Sequence, residues 1–335
     1  MPRRSRRLNP PCHLDGLSDD LVLRLFLRAP FMTHGTLHVV CRRLKTLLRS
    51  PEFGQQRLES GLVEHGIVCA GMFRDGRRTA DGAILYHGKL LPIPPMSCPR
   101  RSACSVVIDN EMWVMGGTDD DGNDLAMVEV YSPKANSWRS CTPMNQRRWG
   151  AVAGVVGGRV VVAGGFCDGE FLSSAEAYTG TGWTPLPPMP HEATWATACV
   201  LNGRLHVMGG HESNTHQVLQ TTEENGLAWT VKADLPANRH GAASVVFQGN
   251  IWVMGGNVDE EPSASVLTYN AEADAWETGP PLPSPQEFCT TAMAFGNGIL
   301  VFGLGKTTGY DNSGWAEVDT GFARLYGVCS WADSG

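Results

Sequence analysis

Few residues in this chain have the types and spacing that chemistry needs. Gly303-Leu304-Gly305-Lys306-Thr307 has the ending of a phosphate-binding loop. Such a loop requires an earlier Gly at the position held here by Leu300, and it opens a helix, whereas this stretch leaves a β-rich run. The ten His show no metal-ligand spacing. His206 sits in an apolar run and reads as a core residue, while His211 and His240 fall in polar loops. The ten Cys are scattered without a Cys-x-x-Cys pair, which predicts reduced, packed thiols rather than disulfides or a metal site. These residues predict no catalytic group, no metal and no cofactor. Recognition remains. Arg100-Arg101, Arg148-Trp149 and Arg239-His240 recur at matching places, with Gln286-Glu287 in a fourth. Arg beside an aromatic ring is an interaction hot-spot composition, suited to an acidic or phosphorylated peptide. The competing reading is that each Arg only satisfies loop carbonyls. With His211, these loops define the candidate binding residues Arg100, Arg101, Arg148, Trp149, His211, Arg239 and His240.

A repeat positions them. Trp138, Trp183 and Trp229 are each followed 26 residues later by Gly164, Gly209 and Gly255, each the first of a Gly pair. Leu90 leads by the same count to Gly116-Gly117, and Trp276 to Phe302-Gly303. The return interval varies between 13 and 22 residues, so one loop is adjustable and the rest of the unit is not. Each unit reads as apolar β-rich runs joined by a tight turn: Asp109-Asn110, Gly157-Gly158, Asn202-Gly203, Gly249-Asn250 and Asn297-Gly298. A polar loop follows the Gly pair, with Asp119-Asp120-Asp121, Asp168, His211-Glu212 or Asp259-Glu260-Glu261. A third strand then ends near Tyr131, Tyr178 or Tyr269, and a fourth centres on the Trp. Four antiparallel strands in this order describe a propeller blade.

The arrangement of Gly-Gly, Tyr and Trp resembles the kelch repeat, which implies a mostly β fold and a six-bladed propeller over residues 58–335. Twelve residues after each Trp lie Gly150, Trp195, Gly241 and Phe288, and Trp315 leads likewise to Gly327. The final residues therefore read as an inner strand without a blade of its own. Residues 323–331 are expected to complete the N-terminal blade and close the ring.

The first 60 residues hold 11 Lys/Arg against 5 Asp/Glu, a net +6 within a chain of net −7, so the remainder carries −13. That balance argues against nucleic-acid binding by the repeats. No apolar run reaches membrane-span length, and Asn9-Pro10-Pro11 follows the early arginines where a signal peptide would be apolar. A cytoplasmic or nuclear protein without membrane contact is expected. Residues 1–12 read as a disordered basic tail, with a nuclear import signal as the alternative.

Ser18 reads as an N-cap, with Leu17, Leu21 and Leu25 around it on one stripe and a second stripe through Leu37, Val40, Cys41 and Leu44. So short a helical piece buries little on its own and needs a partner surface. Leu17-Ser18-Asp19-Asp20-Leu21 and Val40-Cys41-Arg42-Arg43-Leu44 within residues 13–57 resemble an F-box. Ser18 stands where that family usually has Pro, and Leu44 where it often has Trp. The resemblance implies docking on a Skp-type adaptor of a cullin–RING ubiquitin ligase through Leu17, Leu21, Leu25, Val40, Cys41 and Leu44, with the propeller face capturing a target protein. A helical cap on the propeller, a kelch-type enzyme acting on a small molecule, and an interaction scaffold are the alternatives.

Overall fold

A computed structural model of the chain describes residues 18–19, 64–70, 73–74, 77–78, 80–86, 89–222, 226–295, 297–303, 307–311, 313–318 and 328–333. The chain divides into two compact units, residues 1–66 with 332–335, and residues 67–331. The candidate adaptor residues Leu17, Leu21, Leu25, Val40, Cys41 and Leu44 lie outside the described residues, as do the basic tail, Lys306 and residues 319–327. From residue 64 onward the regular structure described is all β-strand.

Five four-stranded antiparallel sheets follow the repeat in chain order. The first comprises Cys104–Ile108, Glu111–Met115, Val128–Ser132 and Ser137–Cys141. The second comprises Val152–Val156, Arg159–Ala163, Ala175–Tyr178 and Trp183–Leu186. The others begin at Thr197–Leu201, Ala243–Phe247 and Cys289–Phe295. A further sheet has the order Val328–Asp333, Glu64–Ala70, Gly82–Tyr86, Lys89–Ile93. The leading strands from Cys104–Ile108 to Cys289–Phe295 pack side by side in sequence order.

Burial explains the strand sequences. The second strand of each unit is covered on both faces, so Val160, Val161, Val162 and Ala163 run apolar without alternation. The leading strand Val152–Val156 alternates buried and half-buried residues, because one of its faces lines cavities among the leading strands. The turns are two-residue hairpins with positive φ, at Asp109-Asn110, Gly157-Gly158 and Asn202-Gly203. Two turns fall one residue earlier than the sequence suggested. Phe247 pairs with Asn250, which puts the turn at Gln248-Gly249, and Phe295 pairs with Gly298. In both places the residue expected in the turn begins the next strand instead.

Sheets are stapled at their outer edges by the repeat Trp. The indole N–H of Trp138 donates to the Pro94 carbonyl, Trp183 to Thr142, Trp229 to Pro187, Trp276 to Ala233 and Trp315 to Pro280, all at 2.8–2.9 Å. Each acceptor belongs to the turn that closes the previous unit. Four of these rings also pack on their own unit's Tyr, as in Tyr131–Trp138 at 5.2 Å and Tyr269–Trp276 at 5.0 Å, while Trp229 stands opposite Leu219.

One junction carries a buried histidine pair. His206 Nδ1 and His216 Nε2 lie 2.9 Å apart, against Tyr269 and Trp276 of the next sheet. Burial pushes His206 down to about 4 and His216 down to about 3, from an ordinary 6.5. Both rings are therefore neutral in the folded protein at physiological pH. The unfolded chain binds these protons near pH 6.5, the folded chain only well below it, so stability falls as pH drops through that window.

Two outcomes are expected. Trp183, the most buried of the stapling rings, should cost about 3–5 kcal/mol as Trp183→Ala in urea denaturation, and about 1 kcal/mol as Trp183→Phe, which keeps the ring and loses the hydrogen bond. Urea midpoints of the wild type should decline between about pH 6.5 and about pH 5, and His206→Leu with His216→Leu should flatten most of that decline.

Candidate binding face

Two sets of loops meet on one face. Loops following the Gly pairs and loops leading into the next inner strand hydrogen-bond each other through Arg101–Thr118, Trp149–Phe166 and His240–Asn257. The positions twelve residues past each Trp are also chained together. Gly150 N–H donates to Ser102 O, Trp195 N–H to Gly150 O, and Gly241 N–H to Trp195 O, at 2.8–3.0 Å. All four take positive φ, so consecutive units present the same backbone on this face.

The predicted arginines divide. Arg100, Arg148 and Arg239 are only 2%, 1% and 5% exposed and point inward. The Arg148 guanidinium donates to Gly164 O at 2.6 Å and pairs with Glu176 at 3.0 Å. Arg239 donates to Gly255 O at 2.7 Å and to Ser265 O at 3.3 Å. Arg100 pairs with buried Glu129 and donates to Met127 O at 3.2 Å. Burial pushes the Arg100 guanidinium downward, and the neighbouring Glu129 carboxylate opposes that. These three side chains are spent inside the sheets and do not reach the face. Of the arginine set only Arg101 is exposed, with its Nε donating to Thr118 Oγ1 at 2.9 Å. The expectation that Arg100, Arg148 and Arg239 present guanidinium groups to an acidic ligand is corrected by this placement. Loop carbonyls need donors, and water cannot reach these.

Trp149, His211 and His240 are brought together through Trp195, which sequence reasoning placed on the inner strands and not in the site. Trp195 lies 5.4 Å from Trp149, 5.8 Å from His211 and 5.9 Å from His240, ring centre to ring centre. Phe288 joins at 6.4 Å from Trp195, and Phe166 and Phe171 extend the cluster beyond Trp149. The signal was available: two of the equivalent positions on this face are aromatic and two are Gly. A Cβ on Gly241 would sit 2.5 Å from the Phe288 ring, and one on Gly150 3.0 Å from Trp195, so each Gly makes room for the next unit's ring. His240 Nε2 meets the Asn257 amide at 3.2 Å and its Nδ1 lies 3.7 Å from Glu260. Burial draws His240 below its ordinary value against the pull of Glu260.

Asp124, Cys167 and Asp168 bring their ligand atoms within 4.8 Å of one another. Arg147 already pairs with Asp168 at 2.8 Å, and Asp168 N–H donates to Asp124 at 3.1 Å. Burial and Asp168 push the Cys167 thiol up to about 11. Below this face, a cavity of about 160 Å3 is lined by Cys104, Ser105, Thr197 and Ser244 among small apolar residues of the leading strands.

The Kelch motif family matches this chain at residues 99–145, 147–190 and 238–283. A solved structure described as "Structure of YjhT" shares the fold with a TM-score of 0.60 at 16% identity, covering 75% of this chain and 92% of that one. F-box/kelch-repeat protein At1g67480 of Arabidopsis thaliana is 30% identical over 211 residues, 60% of this chain and 56% of the relative. F-box/kelch-repeat protein At1g30090 of the same plant is 31% identical over 211 residues, with 59% and 52% covered. Kelch-like protein 40 of Xenopus laevis is 30% identical over 123 residues, 36% of this chain and 20% of that protein. The chain spans between half and two-thirds of the length of the plant relatives it matches. Sheets, motifs and glycine-paired loops together define a kelch-repeat protein of the β-propeller type. Within that class, the chain is similar to F-box/kelch-repeat proteins of Arabidopsis thaliana.

The buried pair gives a testable distinction. Arg148→Met leaves Glu176 uncompensated and Gly164 O without its donor, and should cost about 3–5 kcal/mol in urea denaturation. Arg101→Met, at an exposed site, should change stability by under about 0.5 kcal/mol.

Proposed function

We propose that this chain is the substrate-recognition subunit of an SCF-type cullin–RING ubiquitin ligase. Residues 13–57 act as the F-box, holding a Skp-type adaptor through Leu17, Leu21, Leu25, Val40, Cys41 and Leu44. The propeller, residues 58–335, presents the target protein from the loop face built around Trp149, Trp195, His211 and His240. The six sheets form a closed ring, a reading supported by the strand order that sets Val328–Asp333 beside Glu64–Ala70. The chain itself performs no bond-breaking step. It raises the effective concentration of target lysines near the ligase's catalytic arm, in the cytoplasm or nucleus. Kinship with F-box/kelch-repeat proteins carries this reading.

The test is co-purification of the full chain with a Skp-type adaptor. The wild type should retain the adaptor, and Leu21→Asp with Leu44→Asp should lose it while the thermal transition of the repeats stays in place. Retention by the double variant, or no adaptor on the wild type, overturns the ligase reading and leaves an adaptor-independent scaffold.

A further inference from the structure

With Arg100, Arg148 and Arg239 turned inward, the face has the opposite sign from the one its composition suggests. Among the described residues of these loops, Arg101 and Arg147 are the exposed cations, and Arg147 is already paired with Asp168 at 2.8 Å. The aromatic cluster, by contrast, has a carboxylate next in sequence or close in space to four of its seven rings. Glu170 precedes Phe171, Glu212 follows His211, Glu287 precedes Phe288, and Glu260 lies 3.7 Å from His240. All four carboxylates are exposed. The rings between them are partly open: Phe171 is 43% exposed and stacks on His211 at 5.5 Å and 24°, while Trp149, Trp195 and Phe288 are half-buried.

We propose that this face binds a basic segment of a partner protein, with Lys or Arg side chains laid over the rings of Trp149, Trp195, Phe171 and Phe288 and their charges met by Glu170, Glu212, Glu260 and Glu287. The proposal deepens the reading of this face as the target-binding surface and rests on it. An aromatic face attracts a cation through its quadrupole, and a carboxylate at the ring's edge adds a direct charge pair. An acidic or phosphorylated segment meets neither: its charge faces four exposed carboxylates, and the guanidinium groups that would receive it are spent on Gly164 O, Gly255 O and Glu129. Neutral apolar ligands leave the carboxylates desolvated without partners.

Isothermal titration of the full chain with a short Lys/Arg-rich peptide, and with an Asp/Glu-rich peptide of equal length, tests this directly. The basic peptide should bind, more weakly as NaCl rises from about 50 to about 300 mM, and the acidic one should not. Glu212→Gln with Glu260→Gln and Glu287→Gln, all exposed and thermally silent, should weaken the basic peptide about tenfold. Phe171→Ser should weaken it without altering the salt dependence. Equal binding of the acidic peptide, or unchanged affinity in the triple Gln variant, overturns the proposal. Proximity labelling with the Phe171→Ser chain separates the two readings. If labelling of neighbours falls while the basic peptide fails to bind, the basic class is wrong and the face stands. If labelling is unchanged and the peptide fails, both fall.

Discussion

The architecture of the face depends on one close approach, a glycine pair pressed against the loop that leads into the next sheet. Gly117 N–H donates to Arg148 O at 2.9 Å and Gly165 N–H to Ala193 O at 2.7 Å. At the next junction the Arg239 carbonyl lies against Gly209. A Cβ on Gly164 would collide with the Ala193 carbonyl, so this exchange exists only where a side chain does not. The Arg148 backbone is thus tied to one sheet while its guanidinium grips Gly164 O of the following one. A single residue fastens two sheets at the face, as the Trp indole does at the outer edge. The adjustable loops then begin from a fixed origin, which is why their length varies without disturbing the strands.

That same fastening explains what was legible in the sequence and what was not. The unit, its strand order and its Trp could be read from spacing alone, because the 26-residue interval spans strands whose length the sheet dictates. The direction of a side chain leaves no such trace. Arg148 beside Trp149 looks like an exposed hot spot in one dimension, yet one of the two turns in and the other lies on the face. A subtler signal did exist. Glu129 and Glu176 sit two residues before the unit's Tyr, and each pairs with an Arg, Arg100 and Arg148. In the unit where Ala193 occupies the Arg position, the matching acid is replaced by neutral Gln217, which instead bonds the His191 backbone. The Arg239 unit has Leu267 at the acid's position, and there the guanidinium is spent on Gly255 O and Ser265 O instead; paired or not, a buried Arg so engaged is not free to bind anything else.

The turns show a milder version of the same limit. Composition located the turn between the first two strands in five units, but two of these offered adjacent residues able to take positive φ, and register decided between them. Phe247 opposite Asn250 keeps Val245, Phe247 and Trp252 in the core, so the turn falls on Gln248-Gly249. A shift of one residue would have turned that apolar set outward. Burial across the sheet, which no local motif encodes, outweighs the preference of any single dipeptide.

Trp195 shows how rigidity and recognition are joined. Its φ of 54° lies in a region that bulky L-residues avoid, at a cost of about 1–3 kcal/mol, while Gly150 and Gly241 take the same conformation freely at the equivalent positions. The strain is held by hydrogen bonds on both sides, from Trp195 N–H to Gly150 O and from Gly241 N–H to Trp195 O. Its consequence is a large ring fixed on this face, in contact with Trp149, His211, His240 and Phe288. A ring already ordered by its own backbone loses little further freedom when a ligand covers it. The neighbouring Gly residues serve the same end, since removing their side chains leaves the volume that the Trp195 and Phe288 rings occupy. Strained Trp and permissive Gly are therefore two halves of one device, a preorganised aromatic floor whose ligand preference is set by the carboxylates around its rim.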